Sequence, residues 1–508
     1  MSGVRGIAKN LSALFLSHFV AVLQQIALVP LFLLQYGKAG YGEWLTLSAA
    51  VSYLGTLDFG VQTFVNQDLT VRYHNGDMQD FHVRQSTALR LLLGIVGTAA
   101  VLGLAVFFLP LSHFLRMDGS HGEPPLSLRV VQMAVYFLAL QALTAIPFGY
   151  ITGTFMVVGR AHVGAYWNNA KNVSLILGAL VAVALRSNFA VVAGTQAAAI
   201  FLCLAGALVH LRLAAPDIFP TLRYWDGTSV GAILKPSGYF ALIYSSNFLV
   251  YQVPILILQR TIGPAAVTVF SIVRTIFSMT RNLLNALTQA LGPEVTNLFA
   301  KKDWPGLMRL YQYSERLIFS LIPAVNLGVL YLCPFLLTIW LRQPQLFDAH
   351  VYLLSAAISV VMSTKEHKFQ FQYSTNTHID LARFLFGSYI ALGALWSLLV
   401  PRFGLSALLW CWFAVELAQL AYLVVLNARF FRHYEKLETE YLVKLTLLSA
   451  AALGSAHWVL PWSVHLGLPL QVLFATAVGS LILGICYPLF HLGEVAGKFR
   501  ARLQKRFA

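Results

Sequence analysis

Residues Ile262–Ala300 read IGPAAVTVFSIVRTIFSMTRNLLNALTQALGPEVTNLFA, a run long enough to cross a bilayer that still carries Arg274 and Arg281 in its apolar interior. Seven residues advance an α-helix by close to two turns, so the two arginines fall on one face. Ser278, Asn285 and Thr288 extend the same stripe. A charge at the centre of a membrane helix costs roughly 2.5–3.5 kcal/mol on insertion scales, so this stripe must meet water, an anion or other protein. Two readings follow. The arginines line a substrate cavity, or they pair between helices.

The rest of the chain has the same membrane character. Of 508 residues, 58% are hydrophobic and 11% charged, and mean hydropathy is +0.69. Soluble domains average about 25% charged residues, so composition alone indicates a membrane protein, and the run of spans makes it all-α and polytopic. Fourteen stretches are long and apolar enough to span: 11–34, 43–66, 84–110, 129–154, 168–186, 188–211, 236–259, 263–291, 312–333, 351–374, 384–400, 404–427, 441–461 and 467–490. The first has Arg5 and Lys9 before it and no small-residue cleavage site after it, so it reads as a retained helix.

Of the 35 lysines and arginines, 21 fall in segments on the side of the N-terminus and 7 on the other. The positive-inside rule then places both termini in the cytoplasm. The net charge of +15 is explained by this bias and is no evidence of nucleic-acid binding. Cys203, Cys333, Cys411 and Cys486 lie in apolar runs without CxxC spacing, so neither a disulfide nor a metal site is expected.

A shift of 223 residues lays GYGEWLTLSAAVSYLGTLDFG (from Gly40) over GPAAVTVFSIVRTIFSMTRNL (from Gly263), with Asp58 over Arg281. This weak repeat suggests two six-helix lobes in parallel, related by a pseudo-twofold axis, plus two C-terminal helices. The expected division is 1–215, 216–430, 431–490 and a basic cytoplasmic tail, 491–508.

Eight ionisable residues lie inside the spans beyond easy snorkelling or close to that limit: Asp58, Arg274, Arg281, Arg316, Lys365, Glu366, Lys368 and Glu416. All must face protein or water. Arg274, Arg281, Lys365, Lys368 and Asn285 are the candidates for a cationic cavity. Lys365–Lys368 read KEHK, which lies either in the tenth helix or in a loop, and Glu366 has the reach to neutralise one of the lysines. Asp58, Glu366 and Glu416 are candidates for coupling or gating, and Asp58–Arg281 for a latch that an anionic substrate breaks. Catalytic HExxH, GxSxG, Walker and Rossmann patterns are missing in any suitable context, and no external loop pairs carboxylates. The chain does not read as an enzyme.

YGEW (Tyr41–Trp44), SYLGTLDFG (Ser52–Gly60), IGPAAVTVFSIVRTI, the segment Ala286–Leu317 and QYSTNTHIDLARF (Gln372–Phe384) together carry a resemblance. The chain resembles the polysaccharide transporters, the oligosaccharide-lipid flippase (O-antigen flippase) branch of the multidrug/oligosaccharidyl-lipid/polysaccharide exporter superfamily. The resemblance implies two lobes in a V, a cationic central cavity and alternating access. It implies polyprenyl-pyrophosphate-linked oligosaccharide as substrate, moved across the bacterial cytoplasmic membrane for O-antigen, capsule or exopolysaccharide synthesis. Glycan polymerase and chain-length machinery are the implied partners. No cofactor is implied, and H+ or Na+ are the candidate coupling ions. Pyrophosphate suits planar guanidinium donors. An ion-coupled multidrug exporter of the same superfamily is the alternative, and a polytopic glycan polymerase or glycosyltransferase a more distant one.

Overall fold

The structure is a computed structural model and describes residues 2–119, 124–375, 377, 379–432, 434, 437–494 and 497. The basic tail from 498 onward, Asn376 and His378 of the turn after the tenth span, and Lys436 lie outside the described residues.

The described residues are helical, with no strand among them, and they form fourteen membrane-length segments. A continuous run Ser2–Ser52 turns at Gly37 (φ 69°) and divides into α1 (2–36) and α2 (38–52). After a 3-10 turn at Tyr53–Thr56 and a break, α2 resumes over Val61–His74. Then follow α3 (Met78–Gly103), α4 (Leu128–Thr154), α5 (Ala161–Ala184) and α6 (Phe189–Ala214). Helix α7 has two parts, Gly227–Tyr251 and Val253–Thr261. Helix α8 (Pro264–Gln289) is followed by a short helix, Gly292–Ala300, and then α9 (Trp304–Ile339) and α10 (Ala349–Ser374). The run Ile379–Phe431 turns at Gly404 (φ 66°) into α11 (379–403) and α12 (405–431). Helices α13 (Glu440–Ser463) and α14 (Leu468–Leu489) complete the order.

Every expected span has a helix, but several helices begin earlier than hydrophobicity indicates, because caps set their starts. Asp226 accepts hydrogen bonds from the Thr228 and Ser229 amides and starts α7 at Gly227, where the apolar run begins only at 236. Asp303 accepts from the Gly306 amide and starts α9 at Trp304, where 312 was expected. Charged residues expected in loops are thereby drawn into helices. Lys235 and Arg309 are two of them, inside α7 and α9, while in α5 the ammonium of the half-buried Lys171 lies over the Phe148 ring at 5.3 Å.

Eight stretches among the described residues are apolar and long enough to qualify as spans by composition alone, and one of these, Ile379–Phe431, is two helices. Segments outside that set include α8 and α10, which carry internal charges, and α2, which is interrupted. The outer surface has the inverse polarity of a soluble protein, with Leu34, Leu202, Leu213 and Trp458 each largely uncovered.

The chain divides into two compact units, Met1–Thr268 and Val269–Ala508. This division follows packing, whereas the expected lobe boundary at 215/216 follows the repeat. In the first unit α4 packs on α3 and α6, around Val61, Leu69, Phe81, Phe148, Tyr150 and Leu211. In the second, α9 is the central helix and touches α10, α13 and α14. Tyr441 and Leu445 of α13 and Cys486 of α14 share one core with Ile318, Phe319 and Ile322 of α9.

Within the first unit, two of the stretches that carry the family resemblance meet. A Cβ on Gly42 of YGEW would lie 2.0 Å from the carbonyl oxygen of Pro264. Beside this contact, Thr268 Oγ1 donates to the Lys38 carbonyl at 2.6 Å, and Thr46 Oγ1 donates to Gln259 Oε1 at 3.2 Å. Gly42→Ala should therefore destabilise the protein by about 1–3 kcal/mol through overpacking. Gly231→Ala, in α7 with open space around it, should be neutral or stabilising. Thermal unfolding of both variants in lipid nanodiscs checks the pair, and equal behaviour would contradict the close approach.

Candidate functional site

Helix α10 passes through Lys365–Lys368 unbroken, so KEHK is one turn of helix and not a loop. Four consecutive residues rotate by about 100° each and so point to all sides of the helix. Lys365 Nζ donates to Glu416 of α12, to Gln419 Oε1 at 2.7 Å and to Tyr389 Oη of α11 at 3.0 Å. Glu416 is wholly buried and also accepts from Tyr389 Oη at 2.7 Å and from Trp412 Nε1 at 3.0 Å. Glu366 is half-buried and within electrostatic reach of Arg281 on α8 and of Lys365. His367 Nε2 is 2.9 Å from Ser314 Oγ of α9. Lys368 Nζ donates to Glu315 Oε1 and Tyr311 Oη of α9, both at 2.6 Å, and lies over the Tyr311 and Phe319 rings. One turn thus ties α10 to α8, α9, α11 and α12.

Arg274 and Arg281 are half-buried on the same face of α8 and line one small cavity, as their spacing requires. The Arg274 guanidinium lies 5.4 Å from the Phe270 ring centroid, and Arg281 Nη1 abuts the Met362 sulfur. Ser355 and Ser359 of α10 and Trp412 of α12 complete the lining. At about 20 Å³ the cavity is a slot with room for about one water. Its cationic donors are the two guanidiniums, a pair that suits phosphate oxygens, while the Ser355 and Ser359 hydroxyls donate to the Val351 and Phe277 carbonyls. Trp412 serves both places, since its ring lines the slot while its indole N–H donates to Glu416.

Asp58 belongs to the first unit and occupies the break in α2. Phe59 and Gly60 both take left-handed backbone, φ 48° and 74°, before the helix restarts at Val61. For a non-glycine residue such as Phe59 that conformation costs about 1–2 kcal/mol. Asp58 is buried, and its Oδ1 accepts from the Gly60 amide at 3.3 Å. It lies at the wall of a second cavity, of about 390 Å³, which Gln62, Tyr244, Asn247, Tyr251 and Gln252 also line. The other wall is the interruption of α7 at Gln252.

No family model matches the chain, and no curated protein matches it in sequence. Solved structures do match. An inward-facing multidrug resistance transporter of the MATE family, in the MOP superfamily, superposes with a TM-score of 0.65 at 11% identity, over 82% of this chain and 96% of that one. The lipid II flippase MurJ, inward closed, gives 0.59 at 10% identity, over 94% of this chain and 98% of its own. A MOP superfamily transporter from Pyrococcus furiosus, noted for the reverse polarity of its binding pocket, gives 0.55 at 12% identity, over 83% and 93%. This chain shares the fold of these transporters. At such identities the likeness is one of fold alone, and the solved structures that share it are multi-pass membrane transporters and a flippase.

Within the MOP fold, the expected site residues fall in separate places. Arg274 and Arg281 share the slot, with Asn285 half-buried one turn farther along α8. Lys365 and Lys368 do not line that slot, since each is buried against an acid inside the second unit. Glu366 is the partner of neither by direct ion pairing among the described contacts. The acids are Glu416, singled out in the sequence, and Glu315, which was not. Glu315 stood at the edge of the expected ninth span, but α9 starts at Trp304 and places it about three turns inside. Arg316 is structural, with Nη1 3.3 Å from Glu494 Oε2 and its guanidinium over the Tyr441 ring.

Removing one partner of a buried ion pair leaves the other charge uncompensated and typically costs about 3–5 kcal/mol. Lys365→Met or Glu416→Leu alone should show losses of that order, and the double variant should recover most of them. Denaturant unfolding in detergent micelles is the measurement. Single variants within about 1 kcal/mol of wild type would exclude the pair as a fastening of α10.

Proposed function

We propose that this chain is a flippase for polyprenyl-pyrophosphate-linked oligosaccharides, moving them across the bacterial cytoplasmic membrane for surface polysaccharide synthesis. Both termini are cytoplasmic in this reading, as the basic-residue bias requires. The observation that carries it is the placement of Arg274 and Arg281 on one face of α8, in a slot whose other polar groups are serine hydroxyls. Such a site recognises a phosphate oxygen by two charge-assisted contacts and offers little to an organic cation.

The slot is too small for a saccharide, so α8 must separate from α10 and α12 for the head group to be admitted. Met362 and Trp412 would line the widened opening. Alternating access would supply that movement, with the pyrophosphate competing against Glu366 for Arg281. Because Trp412 also donates to Glu416, opening the slot would be felt at the Lys365–Glu416 pair. This is the coupling or gating role proposed for Glu366 and Glu416, with H+ or Na+ as the coupling ion. Lys365 and Lys368 hold the frame, and the arginines with Asn285 meet substrate. The fold is shared with a lipid II flippase, whose substrate is named for its lipid, which is consistent with this reading.

A second reading, an ion-coupled multidrug exporter, is favoured by the acid and aromatic rings lining the cavity of the first unit. Cells distinguish the two. Arg274→Ala/Arg281→Ala, at unchanged membrane level, should lower surface glycan at least about tenfold, the loss expected for one or two charge-assisted hydrogen bonds. The Lys variants should retain part of it, since a point charge replaces the fork. Unaltered glycan would sink the anion site. Raised resistance to organic cations on overexpression would favour the exporter.

A further inference from the structure

The cavity at Asp58 has a different chemistry from the arginine slot, and its size is that of a ligand pocket. About 390 Å³ lies within the usual range for small-molecule sites, and is far more than a dehydrated monovalent cation needs. It forms where two helices are interrupted, α2 between Thr56 and Val61 and α7 at Gln252. At both places the backbone stays hydrogen-bonded, Phe59 N–H to the Thr56 carbonyl and Gln252 N–H to the Phe248 carbonyl, so the change of helix path leaves side chains to line the space. The left-handed backbone at Phe59 keeps the α2 break open at an energetic cost, as is common where a segment serves a ligand.

The lining chemistry decides among ligand classes. The one carboxylate, Asp58, is buried and accepts from the Gly60 amide, so it is a wall group and not an exposed anion. The other polar residues of the lining are neutral: Ser52, Thr56, Gln62 (which also hydrogen-bonds Asp58), Asn247, Gln252, Tyr244 and Tyr251. Among the described residues no cluster of three His, Cys, Asp or Glu stands ready for a metal ion. Primary amides present a donor and an acceptor together, which matches the paired hydroxyls of a sugar ring, and a phenol adds both an apolar ring face and a hydroxyl. Phe248, which contacts Tyr53 edge to face, supplies a further ring at the same wall.

We infer that this cavity in the first unit is a sugar subsite, which takes an uncharged, hydroxyl-rich saccharide ring of the transported head group. The inference rests on the flippase reading above and extends it.

Photoaffinity labelling in nanodiscs separates the two claims. The probes are a diazirine-bearing alkyl glucoside, the matching alkyl phosphate and the matching alkyl trimethylammonium. The glucoside should label peptides containing 52–62 and 244–252, and excess soluble disaccharide should compete it away. Asn247→Leu and Gln252→Met keep the side-chain volume but remove the amide, so each should lower glucoside labelling about tenfold while unfolding temperature holds. Glucoside labelling that ignores both competitor and substitutions would overturn the sugar subsite. Labelling of the same peptides by the ammonium probe instead would overturn it in favour of an organic-cation site. The alkyl phosphate reports independently on the flippase reading, through labelling near Arg281 that Arg281→Ala abolishes.

Discussion

One helical turn, Lys365–Lys368, constrains the whole second unit. Lys365 faces α11 and α12, His367 and Lys368 face α9, and the two lysines are buried with a carboxylate apiece. In a hydrocarbon surrounding these charges are tolerable only as pairs whose remaining donors and acceptors are also satisfied. The Glu416 site meets that condition with Tyr389 and Trp412, and the Glu315–Lys368 site with Tyr311. Rotation or sliding of α10 by even one residue would break both pairs at once. The turn therefore sets the register of α10, and with it the position of Met362, Ser355 and Ser359 opposite the arginines of α8.

This arrangement explains how so polar a segment is accommodated within a membrane protein. Charge that is fully paired is frame, and charge at a cavity wall is chemistry. The arginines of α8 line a cavity wall, as do the amides and phenols around the α2 and α7 breaks. The two sets differ as the two parts of a lipid-pyrophosphate saccharide differ, one needing planar cationic donors and the other neutral groups that both donate and accept. A MOP fold gives the helices, and these side chains give the proposed specificity.

Much of this was legible before any coordinates. The number of helices followed from apolar runs, and the shared face of Arg274 and Arg281 from their seven-residue spacing. The insertion cost of buried charge identified Asp58, Lys365, Lys368 and Glu416 as residues needing partners. The partners themselves were not legible, because they are tertiary: Lys368 finds Glu315, 53 residues earlier, across a helix interface. Glu315 escaped notice for a local reason. Hydrophobicity places the start of α9 two turns late, while the Asp303 cap starts it at Trp304. The break at Phe59–Gly60 was also hidden, since SYLGTLDFG continues the apolar pattern and a lone glycine does not announce left-handed backbone at its neighbour.

The central claim is that α8 presents a phosphate site, and isothermal calorimetry on the protein in nanodiscs addresses it directly. Farnesyl pyrophosphate and farnesol share a tail and differ only in the charged group. The account predicts binding of the pyrophosphate but not the alcohol, weakened by salt and reduced at least about tenfold in Arg274→Ala/Arg281→Ala. Equal binding of the two compounds, or pyrophosphate binding that survives loss of both arginines, would contradict it.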